Sequence, residues 1–399
     1  MSWNRRTVVT SSAATTAALA LMAAIIVMRL NANGPASGPA WSMSASLAGP
    51  VWGSHGRVMT RQVTRPALLV VPAELSASLK SRLARAMGSP LGTENILWMA
   101  GAGPQRYWTG KHLKGISPVR AAVWVPRIGA SSSLIMMAAR SSGAVSRGPW
   151  TWRRGAYRLS GSAKSVHTTV NASLTQSLAP LVAPGGAVFV VGRQGALLAG
   201  VGAPSGQGAL WRPEPAGMAV LPPLLGLALQ RNAVYQALDG GQSTLSAIAA
   251  AWGEKGLSES VAALGFGSSK VGAMTLAAPR VSSPLSANAL EQGQGLSPTP
   301  LEVARSYLPF LDQGRFPPLA VSTDSRPARI RAIAAKSALS QVLSQLPQVK
   351  VGSMVFRVWR PQGLYAVVLA PRVGVEAVLE GPATRNTMAA LAILAAQRP

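Results

Sequence analysis

The chain has 399 residues, which exceeds one typical domain, so we expect two globular units rather than one continuous core. Hydrophobic residues make up 48% of the chain and charged residues only 13%, a composition that excludes long disordered stretches. Because the chain has no cysteine, disulfides, thiolate zinc sites and cysteine nucleophiles are all excluded.

The net charge is +26, since 38 basic residues outnumber 12 acidic ones, and such a charge favours polyanionic partners. We predict no nucleic-acid partner, because zinc-finger spacing and an RNP-like aromatic run are missing and the basic residues are dispersed. Two explanations of the charge stay open. One is a surface that binds anionic polymers or lipid headgroups, and the other is a genome-wide bias toward arginine.

The first element in the chain is an uncharged apolar stretch between Thr7 and Met28 that follows two arginines. As a helix it would span about 33 Å, enough for the roughly 30 Å hydrocarbon core of a bilayer. It predicts a cytoplasmic tail at residues 1–6, a single-pass transmembrane helix at residues 7–30, and an extracytoplasmic location at the cell membrane for the rest. A cleaved signal peptide is the alternative, although the stretch is longer than usual for one.

A small unit is expected to follow the membrane segment. Residues 31–50 are rich in Gly, Pro, Ala and Ser and are predicted to form a linker. Residues 51–150 are predicted to form a small α/β unit. In it, Ala67–Val71 and Ala121–Val125 are apolar runs typical of buried strands, and Glu74–Met87 has helical spacing.

The remaining residues, 151–399, have a more regular pattern of helices and strands. The predicted helices are Asn171–Leu181, 217–231, 243–252 and Ala383–Gln397, and the predicted strands are Ala187–Val191, Ala196–Val201, Met354–Trp359 and Leu364–Ala370. The first two strands are joined by Gly192-Arg193-Gln194-Gly195, which predicts a hairpin. This order favours an α+β domain with an antiparallel sheet covered by its terminal helices.

Three short segments carry the most specific signal in the sequence. They read Ala263-Leu264-Gly265-Phe266-Gly267, Gly293-Gln294-Gly295-Leu296-Ser297-Pro298-Thr299-Pro300-Leu301-Glu302-Val303-Ala304 and Gly314-Arg315-Phe316-Pro317-Pro318. In this order and spacing, they resemble the class B penicillin-binding proteins, which are peptidoglycan transpeptidases. The resemblance implies an α+β, penicillin-binding/serine β-lactamase-like transpeptidase domain at residues 151–399. The complete predicted fold class consists of this domain together with the smaller N-terminal α/β unit and one transmembrane helix.

The family's acyl transfer needs a Ser at a helix start and a Lys one turn later, which removes the Ser proton. The matching stretch, residues 215–222, places Met218 at the Ser position and Leu221 at the Lys position. A thioether has no proton to lose and an isobutyl group is no base. Nowhere in the sequence does a Lys have a Ser three positions before it. The resemblance therefore predicts a pseudoenzyme with no intact catalytic residue.

Two further family elements are altered as well. The proton-relay position of the family's Ser-x-Asn element falls at Gln242, which has no hydroxyl group. The family's Lys-Thr/Ser-Gly element corresponds to Lys350-Val351-Gly352-Ser353, where Lys350, Gly352 and Ser353 are candidate ligand-binding residues for a carboxylate. An exposed strand start with an incidental lysine is the alternative interpretation of this segment.

These observations favour a membrane-anchored, non-catalytic scaffold or regulator among cell-wall synthesis proteins. One alternative is an active peptidoglycan D,D-transpeptidase with an unrecognised nucleophile. Another is a module that binds anionic wall polymers or lipid headgroups. The three histidines are far apart, and metal-binding and nucleotide-binding motifs are missing, so neither a cofactor nor a metal site is predicted.

Overall fold

A computed structural model describes most of the chain from residue 41 onward. The described residues are 41–42, 46–99, 113–127, 132–146, 148–159, 165–202, 213–231, 242–267, 270–271, 274–275, 280–281, 285–292, 294–323, 330–361 and 364–396. The chain divides into two compact units, each built from separate segments. Unit 1 draws on Met1–Ala48, Gln62–Val125 and Val145–Ala163, and unit 2 on Gly49–Arg61, Pro126–Ala144 and Lys164–Pro399. The simpler division into residues 51–150 and 151–399 stays a prediction.

The first part of the chain forms mainly strands. These strands are β1 Trp41–Ser42, β2 Ser46–Leu47, β3 Val51–Trp52, β4 Thr60–Val70, β5 Ile96–Trp98, β6 Ile116–Pro126, β7 Val145–Ser146, β8 Trp150–Arg153 and β9 Ala156–Leu159. All except β3 belong to one eight-stranded sheet, which contains the path β1-β5-β4-β6-β2-β7. Helix α1, Ala77–Met87, buries Leu83 against residues of β4 and β5. The two predicted strands of this region are confirmed within β4 and β6, and the predicted helix is confirmed as α1. Strands β1 and β2 lie within the predicted linker.

Unit 2 contains the remaining strands and helices. The strands are β10 Val166–His167, β11 Ala187–Gly192, β12 Leu197–Gly202, β13 Lys270–Val271, β14 Met274–Thr275, β15 Arg280–Val281, β16 Leu296–Ser297, β17 Arg315–Phe316, β18 Arg331–Ala332, β19 Gln348–Val351, β20 Met354–Trp359, β21 Tyr365–Ala370 and β22 Val375–Glu380. The helices are α2 Ser132–Ser141, α3 Ala172–Leu178, α4 Leu221–Gln230, α5 Gln242–Ala263, α6 Ala287–Glu291, α7 Pro300–Leu311, α8 Lys336–Gln345 and α9 Thr387–Ala396.

The centre of unit 2 is a six-stranded antiparallel sheet in the order β12-β11-β22-β21-β20-β19. Side chains alternate between its two faces. One face, which includes Val375, Ala377 and Leu379, forms a core with helices α3 and α9. The opposite face is covered by helix α7, which packs on β11 and β22. The predicted hairpin of β11 and β12 is confirmed, as are the predicted strands that became β20 and β21.

The predicted fold class requires a correction. The described residues form a mixed α/β structure with several sheets, and none of their helices is both long and apolar enough to span a bilayer. The longest, α5, carries Glu254, Lys255 and Glu259 and has non-helical backbone angles at Gly253. The single transmembrane helix is therefore not supported. The segment predicted to form it, residues 7–30, lies outside the described residues.

Candidate functional site

The residues that match the family's nucleophile helix form a tight turn before helix α4. We call residues 213–220 the Met218 turn. Its last four residues, Gly217–Val220, are a 3-10 helix that continues directly into α4 at Leu221. Gly217 has a φ of +51°, in the left-handed region that glycine adopts without strain. Met218 is half-buried and Leu221 is fully buried, so the predicted base position faces the protein core.

Hydrogen bonds hold the Met218 turn on several sides. The backbone N–H groups of Glu214 and Ala216 donate to the carbonyl oxygens of Pro298 (3.1 Å) and Leu296 (3.0 Å). The Trp359 indole Nε1–H donates to the Met218 carbonyl oxygen at 2.9 Å. These bonds join the turn to the Gly-Gln-Gly motif segment and to the end of strand β20. They fix the backbone of the turn whatever side chain stands at position 218.

The carboxylate of Glu302 joins two of the three family-like motifs. One oxygen accepts a hydrogen bond from the backbone N–H of Gly267 (3.2 Å), and the other accepts from the backbone N–H of Thr299 (2.9 Å). Thr299 is the N-cap of helix α7 and its hydroxyl accepts from the Glu302 N–H, which completes a capping box with Pro300 at the first helical position. Thr299, Pro300 and Glu302 therefore have a structural role, since together they begin and cap helix α7.

The third motif requires glycine at position 314, both because of its φ angle and because a side chain has no room there. Gly314 has a φ of +88°, and a Cβ atom there would lie 1.9 Å from the Ala334 carbonyl oxygen. Two residues further on, the Arg305 guanidinium lies over the aromatic ring of Phe316, 4.6 Å from the ring centroid. Phe316 also fills the space that a Cβ on Gly265 would need. The first and third motifs therefore pack against each other.

Buried acidic groups lie on the sheet face that α7 covers. Glu376 and Glu380 are four residues apart on that face of β22, with Val378 between them, and both glutamate side chains are buried. Their four-residue spacing would suit an exposed helix face, but both lie on a central strand of the sheet. Neither oxygen of Glu376 has a hydrogen-bond partner among the described residues. Burial raises the pKa of Glu376 well above its ordinary value, which favours the neutral, protonated carboxyl in the folded protein.

Two tyrosines complete this buried group. The Tyr307 hydroxyl donates to the Ala219 carbonyl oxygen of the Met218 turn at 2.5 Å, and the Tyr365 hydroxyl donates to the Pro298 carbonyl oxygen at 2.8 Å. Burial raises the pKa of both phenols well above 10, and nearby glutamates raise it further. Both hydroxyls therefore stay protonated and serve as donors, and neither supplies a phenolate base for acyl transfer.

The structure places Lys350, Gly352 and Ser353 at the end of strand β20 opposite Trp359 and the Met218 turn. Gln242 begins helix α5. Lys350 is on the edge strand β19, and Gly352 and Ser353 form the turn between β19 and β20; all three are exposed. Trp359, which contacts the Met218 turn, is at the other end of β20. The hairpin turn is thus separated from Trp359 by roughly 17 Å of strand, at about 3.3 Å per residue.

No protein-family model matches this chain, and no curated protein matches it. The resemblance to class B penicillin-binding proteins therefore stays a prediction based on the motifs quoted above.

Sequence reasoning missed Trp359, Tyr307 and Glu376 as parts of the site. Trp359 lay in a predicted strand, but no local pattern indicated that its indole reaches the Met218 carbonyl oxygen. Strand β22 was not predicted, so the burial of Glu376 was missed. The apolar residues that alternate with its two glutamates were the available signal.

Proposed function

We propose that this chain is a non-catalytic relative of the class B penicillin-binding proteins, acting as a scaffold or regulator in peptidoglycan synthesis. The observation that carries the proposal is the Met218 turn. Hydrogen bonds from the motif segment and Trp359 hold its backbone in place, yet the side chains at the nucleophile and base positions are a thioether and a buried isobutyl group. Loss of such a cooperating pair lowers the rate by about 10⁶-fold.

The retained packing supports a role in binding rather than chemistry. Glu302 accepts a hydrogen bond from Gly267, 35 residues earlier in the chain, and so joins two motifs. Gly314 permits a close backbone approach, since a Cβ atom there would clash with the Ala334 carbonyl oxygen. Such contacts maintain the shape of the folded surface but supply no catalytic group. A scaffold needs only that shape, since a partner recognises exposed surface rather than a nucleophile.

The experiment is deletion of the gene in its own cells, followed by analysis of the peptidoglycan. The proposal predicts that deletion changes the amount or cross-linking of peptidoglycan and that the wild-type chain restores it. A Met218→Ala variant should restore it equally, because position 218 performs no chemistry. Unchanged peptidoglycan after deletion would overturn the proposed function, and a Met218→Ala chain that folds but fails to restore cross-linking would overturn its non-catalytic part.

The net charge of +26 favours a second candidate function, binding of anionic wall polymers. Exposed charges are screened beyond about 8 Å at physiological salt, so this binding should weaken steeply as salt rises. Sedimentation with purified wall polymer at increasing sodium chloride measures it. Retention that does not depend on salt would count against this candidate.

A further inference from the structure

A cleft in unit 2 lies on the sheet face opposite the Met218 turn. It has a volume of about 250 Å³, and most of its wall is apolar. The apolar wall consists of Leu174, Leu198, Met354, Ala370, Val373, Val375 and Leu394. Val375 and Ala370 belong to the core face of the sheet shared with helices α3 and α9, whereas Glu376 points to the other face. The cleft is therefore separate from the site described above.

One end of this cleft is polar. Ser54, His55 and Asn171 line it, and the same three residues line an adjoining pocket of about 240 Å³. Arg57 also lines the adjoining pocket, and its Nη1–H donates to the Ser173 hydroxyl at 3.1 Å. That bond uses one of the five N–H donors of the guanidinium, which leaves others for a ligand. The apolar and polar compartments thus share one rim.

The charges around the rim are positive. Among the residues that the structure describes, neither compartment is lined by Asp or Glu. In the loop after strand β21, Arg372 is exposed beside Val373, and Arg193 donates to the Pro371 carbonyl oxygen at 3.0 Å. A ligand that fills both compartments therefore has an aliphatic part and an anionic part. A fork of guanidinium donors matches the two oxygens of a carboxylate.

We infer that this cleft binds a free single-chain aliphatic carboxylate, with its chain against Leu174 and Val375 and its headgroup at Arg57. A volume of about 250 Å³ is slightly below the roughly 300–1,000 Å³ of drug-sized ligand pockets, which fits one medium-length chain and excludes a two-chain lipid. The inference is independent of the proposed function, since it uses none of the residues around the Met218 turn.

The test is calorimetric titration of the full chain with hexanoate, octanoate and decanoate. Burial of each methylene is worth about 0.8 kcal/mol, so two extra carbons should tighten binding by about 15-fold until the cleft is full. Val373 is 39% exposed, so Val373→Trp should block the mouth and abolish binding without disturbing the core. Val281→Trp is the matched control, because Val281 is 38% exposed and lies outside the cleft.

The headgroup is tested with octanol beside octanoate. Arg57→Gln should weaken octanoate binding about two- to fivefold, the size of an exposed ion pair, and leave octanol binding unchanged. Arg85→Gln, an exposed arginine outside both pockets, should change neither. The inference would be overturned if neither octanoate nor decanoate bound, or if the two tryptophan variants bound equally well. It would also be overturned if Arg57→Gln weakened octanol and octanoate binding equally, or if the chain bound only to phosphatidylglycerol vesicles.

Discussion

The Glu376→Gln substitution tests whether the buried carboxyl is protonated in the folded protein. Glu376 is fully buried, its oxygens have no hydrogen-bond partner among the described residues, and burial raises its pKa well above the ordinary value. The unfolded chain releases this proton above about pH 4.3, whereas the folded chain keeps it. The free energy of unfolding of the wild type therefore falls as pH rises, by about 1.4 kcal/mol per pH unit, until the folded-state carboxyl also ionises.

Glutamine cannot ionise, so the free energy of unfolding of the Glu376→Gln variant does not fall with pH for this reason. The free energy of unfolding of Glu376→Gln minus that of the wild type should therefore increase as pH rises above 5, by about 1.4 kcal/mol per pH unit until the folded-state carboxyl ionises. Urea unfolding at pH 5, 6 and 7 measures it. Glu254→Gln, which changes an exposed carboxylate on helix α5, is the control and should follow the wild type at every pH. A difference between Glu376→Gln and the wild type that is constant across this range would refute the reasoning.

Two further substitutions test the packing of the motifs by the same urea assay. Gly314→Ala should cost about 3 kcal/mol or more, because its Cβ would meet the Ala334 carbonyl oxygen, whereas Gly88→Ala should cost only about 1 kcal/mol, because it has a similar φ of +67° but open space. Equal costs would contradict the predicted contact. Glu302→Ala should cost about 2–4 kcal/mol because two backbone donors lose their acceptor, and Glu302→Gln, which keeps one acceptor oxygen, should cost about half of that. A larger cost for glutamine than for alanine would contradict this assignment.

Local patterns in the sequence predicted much of unit 2. The glycines at 192 and 195 bracket the turn between two apolar runs, and the hairpin of β11 and β12 follows from that pattern alone. The cap of helix α7 was equally local, since Thr299 and Pro300 occupy the positions that favour a helix start. Such features depend on neighbours in sequence and are predictable from them.

Features that depend on distant contacts were not predictable in this way. Glu376 and Glu380 are four residues apart, which suits an exposed helix face, and buried glutamates are rare. Only the neighbouring strands and helix α7 show that this segment is a central strand with both carboxyls inside. Likewise, the placement of Lys350 beside a hairpin turn, at the far end of β20 from Trp359, depends on the strand pairing.

The central claim is that no acyl-enzyme forms at or near the Met218 turn. Intact mass measurement of the full chain after incubation with a fluorescent penicillin tests it most directly, with an active class B penicillin-binding protein as positive control. We expect an unchanged mass and no fluorescence after denaturation, because a thioether at position 218 cannot attack the lactam. A stable adduct of one penicillin per chain, located by peptide mapping on any hydroxyl group, would contradict it.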